Sequence, residues 1–400
     1  MSGAVRGPDA GWERVFAAAE VVVVGPAPPL RGGIAAHTAR LVEHLQRQGV
    51  AVAAASYRRL YPRFLFPGRS QRSGATRPAW CGEVLDVLDP SSWAGLRRRL
   101  AASRARVVLQ WWHPVVAPAL LAATWGLERE RLVLVCHNAL PHDALPGATA
   151  AARALLAKCG RVLCHSGSEA AIVRRLLGAK AGEIHQVPLP CLLPVEEFEG
   201  AAGGAAPAEL AALPAHARLF VAAGHQRHYK GTAVLLRAWA RARRPPGARL
   251  LVVGESYLRG RARREVTGLA RDEPSIVLID RYVEDGELVR FLDSAEALVA
   301  AHLAASQSGL IPIARALDLP CIVSDAGGLP EQAGAGARPD AWDVVQAGDE
   351  QALTAALEAH LARAPRPRTR EATVRDEVRR RDFVNDWQRV VEAMGMARRP

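Results

Sequence analysis

Two cations close together, Arg227 and Lys230, stand in "GHQRHYKG" between an apolar run and a helical pattern. Such a pair is often only a solvated surface, but beside a helix start it suits a diphosphate, with arginine as a fork of donors and lysine as a compact charge. Further along, "AASQSGLIPIARALDLP" carries Ser306, Ser308 and Gly309 into an apolar stretch. These residues are expected to cap a helix and leave backbone N–H groups free for phosphate oxygens. The stretch holds no carboxylate before Asp318.

A second group is made of histidines: His113 in "QWWHP", His137 and His142 in "CHNALPH", and His165 in "CHSGSE". Four histidines at the ends of successive strands could ligate a metal, but no carboxylate or cysteine pattern accompanies them. A single histidine in such a place is commonly a hydrogen-bonded structural residue. Their shared placement selects His137 first as a substrate contact. Near the start, Gly32 and Gly33 in "GPAPPLRGGIAAH" let the backbone adopt positive φ and approach a ligand. Neither the dinucleotide fingerprint nor a Walker-type loop is present.

The elements that must hold these residues read as an α/β fold. "EVVVVGPAPPLRGGIAAHTARLVEHLQRQGVAVAAASY" is a buried strand, a Gly/Pro loop, an amphipathic helix and a second strand, hence a parallel β–α–β unit. The histidine segments repeat the theme, and in doubly wound sheets ligands gather at the carboxyl ends of strands. Between about 195 and 217 the composition turns to Gly, Ala and Pro, read as a linker or short exposed helix. A second strand–helix series follows, so the expectation is two doubly wound domains facing a cleft. The boundaries expected are 1–197, 198–378 and a terminal helix over 379–400, whose Phe383, Trp387 and Val391 recur every fourth residue and pack back on the first domain.

Composition narrows the partners. The chain has 400 residues, half of them apolar, enough for two or three cores. Its formal charge is +12, but lysine occurs only at 158, 180 and 230, and the first half holds 24 basic against 15 acidic residues. A basic face of this kind fits a phosphorylated ligand or an anionic membrane surface, for which "SSWAGLRRRLAASRAR" and "RFLFPGRSQR" are the candidates, or is simply solvated. No recognition helix or stacking module favours nucleic acid. The six cysteines, without close pairing, read as reduced buried thiols. With no signal-peptide pattern and no apolar run long enough to span a bilayer, a cytoplasmic protein, at most peripheral on the inner membrane face, is expected.

Taken in order, "GPAPPLRGGIAAHTARL", "QWWHP", "CHNALPH", "GHQRHYKG", "GESY", "YVEDGELVRFL", "ASQSGLIPIA" and "SDAGGLPE" resemble family-4 glycosyltransferases of the GT-B fold, from about residue 21 to 332. The resemblance implies two Rossmann-like domains, an acceptor in the first and a nucleotide-diphosphate sugar, as substrate rather than cofactor, mainly in the second. It assigns Gly32 and Gly33 to the donor diphosphate loop, His137 to the transferred sugar, and Arg227 and Lys230 to the phosphates. Tyr282 and Val283 fall where backbone meets the base, and Ser308 and Gly309 at the diphosphate-facing helix start. His113 and His142 belong to the acceptor side. The family's usual glutamate pair would fall near Ala305 or Ser306 and near Ile313 or Ala314, so this chain resembles the S-Q-S-G branch that lacks it. The expected activity is a metal-independent, retaining transfer of a hexose-type sugar to a glycan, lipid-linked or small-molecule acceptor. A non-catalytic GT-B protein binding glycans or partner enzymes is the alternative, and a sugar-nucleotide epimerase a third.

Overall fold

The computed structural model describes residues 10–61, 70–141, 146–178, 182–214, 216–334, 342–366 and 372–396. The chain divides into two compact units, one of residues 1–188 with 384–400 and the other of residues 189–383. The division therefore lies at Pro188/Leu189, upstream of the expected 197/198. Its physical reason is that Leu189, Cys191, Leu193, Val195 and Phe198 are buried, so the low-periodicity stretch is anchored by regularly placed apolar residues. The expected linker holds a helix, Val195–Gly203, packed against the helix Asp285–Asp293 so closely that a Cβ on Gly286 would come within 2.9 Å of Glu197 Oε2.

The first unit is a seven-stranded sheet built from β1 (Val21–Val24), β2 (Val52–Arg59), β3 (Cys81–Asp86), β4 (Arg106–Trp111), β5 (Leu132–Cys136), β6 (Arg161–Cys164) and β7 (Glu183–Gln186). Its order is β3-β2-β1-β4-β5-β6-β7 and each neighbouring pair is parallel. The continuous apolar runs follow from this arrangement: strands covered by helices on both faces have no solvent side, and all four valines of β1 are buried. Strand order reverses between β1 and β4, which places the switch point of this sheet there.

The second unit holds β8 (Arg218–Ala223), β9 (Ala248–Val253), β10 (Ile276–Ile279), β11 (Ala297–Ala300), β12 (Cys321–Ser324) and β13 (Trp342–Val345) in the order β10-β9-β8-β11-β12-β13, again parallel throughout. Its switch point lies between β8 and β11. Both orders are those of Rossmann-like sheets, as the sequence led us to expect.

The terminal helix is Ala372–Ala393, longer toward its start than the expected 379–400, and the division between units falls within it. Trp387, Val390 and Val391 are fully buried. Arg161 donates to the carbonyl of Ala393 and Arg106 to those of Met394 and Gly395, so guanidinium groups meet the unpaired carbonyls and negative dipole end where the helix stops. All six cysteines are buried and free. Among the described residues no helix is long and apolar enough to cross a membrane.

Candidate active site

In the first unit, four polar side chains from different elements converge at the carboxyl edge of the sheet. His37 lies on the helix Gly33–Arg47 that follows β1, Gln110 within β4, and His137 and His165 directly after β5 and β6. The His37 ring centroid is 4.8 Å from that of His137 and 5.2 Å from that of His165. Trp387 covers His37 at 5.1 Å. Burial, reinforced by their mutual proximity, holds His37 and His137 well below the usual histidine range, and burial lowers His165 to about 4. All three are therefore neutral at pH 7.

The loop carrying His137 is fixed from three sides. His137 N donates to Trp111 O at 2.8 Å, Trp111 Nε1 donates to Ala139 O at 3.3 Å, and Ala139 N donates to Glu169 Oε2 at 2.5 Å. Glu169 reaches there because Ser166 caps the helix Gly167–Leu177, accepting from Glu169 N at 3.3 Å. "SGSE" has the spacing of a capping box, and its glutamate also secures a neighbouring loop.

Of the other assignments in this unit, Gly32 has φ +114° and its missing Cβ would meet nothing within 4 Å. Backbone conformation, not crowding, is what favours glycine there. Gly33 opens the helix. His113 caps the short turn Pro114–Val116, its Nδ1 accepting from Val115 N at 3.2 Å, and its ring packs edge-on near Tyr61. His142 lies outside the described residues, as do residues 63–69 of the basic segment "RFLFPGRSQR".

In the second unit, Lys230 and Arg227 follow β8, facing the loop after β11 at the switch point. Gly231 has φ +68°, and a Cβ on it would lie 1.9 Å from Ala301 O, so the two loops touch through bare backbone. Leu303 N donates to Tyr229 O at 2.7 Å and closes the same contact. Lys230 Nζ donates to His302 Nε2 at 3.2 Å, in a small cavity shared with Gln226, Thr232 and Ala301. Lys230 is half-buried as a residue, and its ammonium is desolvated. That burial, with the Arg227 charge adding to it, lowers Lys230 to about 8. Arg227 is exposed, its guanidinium 5.0 Å over the Tyr257 ring, which stacks on His225 at 4.7 Å.

The serine segment departs from expectation. The helix Leu310–Ala316 starts at Gly309 with no side-chain cap. Ser308 N donates to Gln332 Oε1 at 2.8 Å while Gln332 Nε2 returns a bond to Ser308 O, so the Ser308 amide is not free for phosphate. Ser308 is buried, and the next turn comes very close to the start of the same segment: a Cβ on Gly327 would stand 1.6 Å from Ala305 O. Where the second glutamate would fall, Ile313 and Ala314 are buried core residues. Tyr282 and Val283 are half-buried ahead of the helix Asp285–Asp293, and the Tyr282 carbonyl already accepts from Arg281 at 3.4 Å.

No metal-holding group of three or more His, Cys, Asp or Glu occurs among the described residues. Residues 31–190 match the family described as Glycosyltransferase Family 4, and residues 216–363 match Glycosyl transferases group 1. The chain belongs to the family-4 glycosyltransferases. Solved structures similar to this glycosyltransferase include sucrose-phosphate synthase from Thermosynechococcus elongatus, at 17% identity and TM-score 0.65 over 94% of this chain and 96% of that one. An α,α-trehalose-phosphate synthase (UDP-forming) from Burkholderia vietnamiensis matches at 14% identity and TM-score 0.64, over 94% and 96%. Anabaena HepE in complex with UDP and glucose matches at 14% and 0.62, over 94% and 100%. At such identities the likeness establishes the GT-B fold. No curated protein matches the chain in sequence.

His137, Arg227 and Lys230 thus stand at the carboxyl ends of strands. His37, Gln110, Glu169 and His302 were not singled out from sequence. Only His37, inside the Gly-Gly helix motif, and Glu169, in its capping-box spacing, carried a visible signal.

Proposed function

We propose that this glycosyltransferase moves a hexose-type sugar from a nucleoside-diphosphate donor to a glycan, lipid-linked or small-molecule acceptor, with retention at the anomeric carbon and without metal or cofactor. The observation that carries the reading is the desolvated Lys230 ammonium held by His302 at the switch point of the second sheet, with Arg227 in the same loop. As the sugar–phosphate bond breaks, negative charge grows on the departing diphosphate. A cation already in place and partly stripped of water stabilises that charge without reorganising. In the first unit, His137 is the group assigned to a sugar hydroxyl. UDP-sugars are the first donors to try, since HepE is solved with UDP and glucose.

The test is calorimetry and product mass spectrometry with a panel of uridine, guanosine, adenosine and thymidine diphosphate sugars, with and without EDTA. Binding and EDTA-insensitive turnover of at least one donor are expected, and NMR of the product gives the anomeric outcome. Failure of every donor to bind overturns the reading. The buried apolar Ile313 and Ala314, where a donor-holding carboxylate is usual, favour the non-catalytic alternative; donor binding without turnover would support it.

A further inference from the structure

We infer that Gln110, His37 and His165 are positioning residues that fix His137 in the tautomer with hydrogen on Nε2, leaving Nδ1 as an acceptor for a substrate hydroxyl. The assignment of His137 to the sugar rests on the function proposed above; the tautomer does not.

The chain of hydrogen bonds ends at a group that has no choice. The carbonyl of Val187, just past β7, can only accept, and His165 Nδ1 lies 3.1 Å from it, so Nδ1 carries the hydrogen. In a neutral ring Nε2 is then bare. His37 Nε2 is 3.2 Å from that nitrogen and must donate to it, which leaves His37 Nδ1 bare. Gln110 Nε2, at 3.4 Å, donates to His37 Nδ1, and its other end, Oε1, faces His137 Nε2 at 2.5 Å. An amide oxygen only accepts, so His137 Nε2 carries the hydrogen and Nδ1 does not.

Each bond in this chain sets the direction of the next, and the polarity runs one way from His137 to Val187. Reversing it requires a carbonyl to donate or a second proton to enter a ring. Burial opposes that proton in all three rings. Among the described residues no protein group bonds His137 Nδ1, in a residue only 7% exposed. An acceptor with no protein partner, on a residue otherwise enclosed, is what a hydroxyl-bearing ligand would fill.

The experiment reads the tautomer directly, without donor. In protein labelled with 15N-histidine, NMR should show His137 and His37 protonated at Nε2 and His165 at Nδ1, with each ring assigned by loss of its signals on substitution by phenylalanine. His137 protonated at Nδ1 in the unaltered protein overturns the inference. Two variants add a functional readout. Gln110→Leu removes the acceptor and should raise the donor KM about tenfold, the scale of one hydrogen bond, while nucleoside diphosphate alone binds as before. Gln110→Glu keeps an acceptor toward His137 and should recover most of that loss while driving the His37 hydrogen to Nδ1. Equal KM in both variants and the parent overturns the link to substrate. Absence of any donor turnover, with the tautomers as stated, would instead sink the proposed function alone.

Discussion

The histidine chain of the first unit and the cationic loop of the second answer the same problem in opposite ways. Each sits at the switch point of a parallel sheet, and in each burial penalises the charged form of a basic side chain. The outcome differs because the starting points differ. His165 falls to about 4 and is uncharged at neutral pH, whereas Lys230 falls to about 8 and keeps its proton. Desolvation therefore produces a set of directional, neutral hydrogen-bonding groups in one place and a poised cation in the other. The first suits discrimination among hydroxyls, the second stabilisation of a leaving diphosphate.

The comparison breaks hardest at Trp387. Its side chain is fully buried and closes over His37, so Trp387→Ala should cost about 3–5 kcal/mol in chemical unfolding and release the histidine tautomers. An unchanged unfolding midpoint would mean that the terminal helix does not seal the cluster. Next comes Lys230→Ala, expected to lower turnover roughly 10²–10³-fold, as loss of one preorganised charge-stabilising group does, with little change in stability. A rate within a few-fold of the parent would remove the lysine from the chemistry.

How much of this was legible beforehand depended on range. The strand–helix alternation, the parallel sheets and the residues at strand ends follow from local periodicity and glycine placement, and the sequence shows them. The terminal helix was visible from Phe383, Trp387 and Val391, though its early turns, rich in charge, hide its true start. The unit boundary was misplaced because Gly and Ala in 200–206 look like a linker while Val195 and Phe198 quietly bind that segment to its neighbours. Gln110 was invisible: one polar residue in an apolar strand has no pattern of its own, and its meaning arises from His37 and His137, which lie far from it in sequence. Gln332 was hidden for the same reason, so the Ser308 amide looked available when it is taken. Long-range polar pairing leaves no periodic trace.

Acid should separate the two regions. Because the folded pKa of His165 is depressed to about 4 from an ordinary value of 6.5, the unfolded chain takes up a proton before the folded one does. Stability is then unaffected above about pH 6.5, declines as pH falls through the interval, and levels off below about 4. For His165 alone the full loss is roughly 3 kcal/mol, with His37 and His137 shifted in the same direction. Urea titrations between pH 7 and 4 measure it. A midpoint independent of pH there would place the histidines in water rather than in a sealed cluster.

The smallest effect, and the finest test of the contrast, lies on the alkaline side. Lys230 loses its proton near pH 8 in the free enzyme, so kcat/KM for the donor should fall with that apparent pKa, approaching tenfold per pH unit above it. The profile of kcat should bend at higher pH, because a bound diphosphate next to the ammonium favours its charged form. The separation between the two limbs therefore measures how strongly lysine and phosphate interact. The neutral histidines add nothing here, being uncharged from pH 7 upward. Coincident limbs would show that the lysine and the donor diphosphate do not meet, and a kcat/KM flat through pH 10 would show that the ammonium lies in a far wetter place than His302 and Thr232 provide.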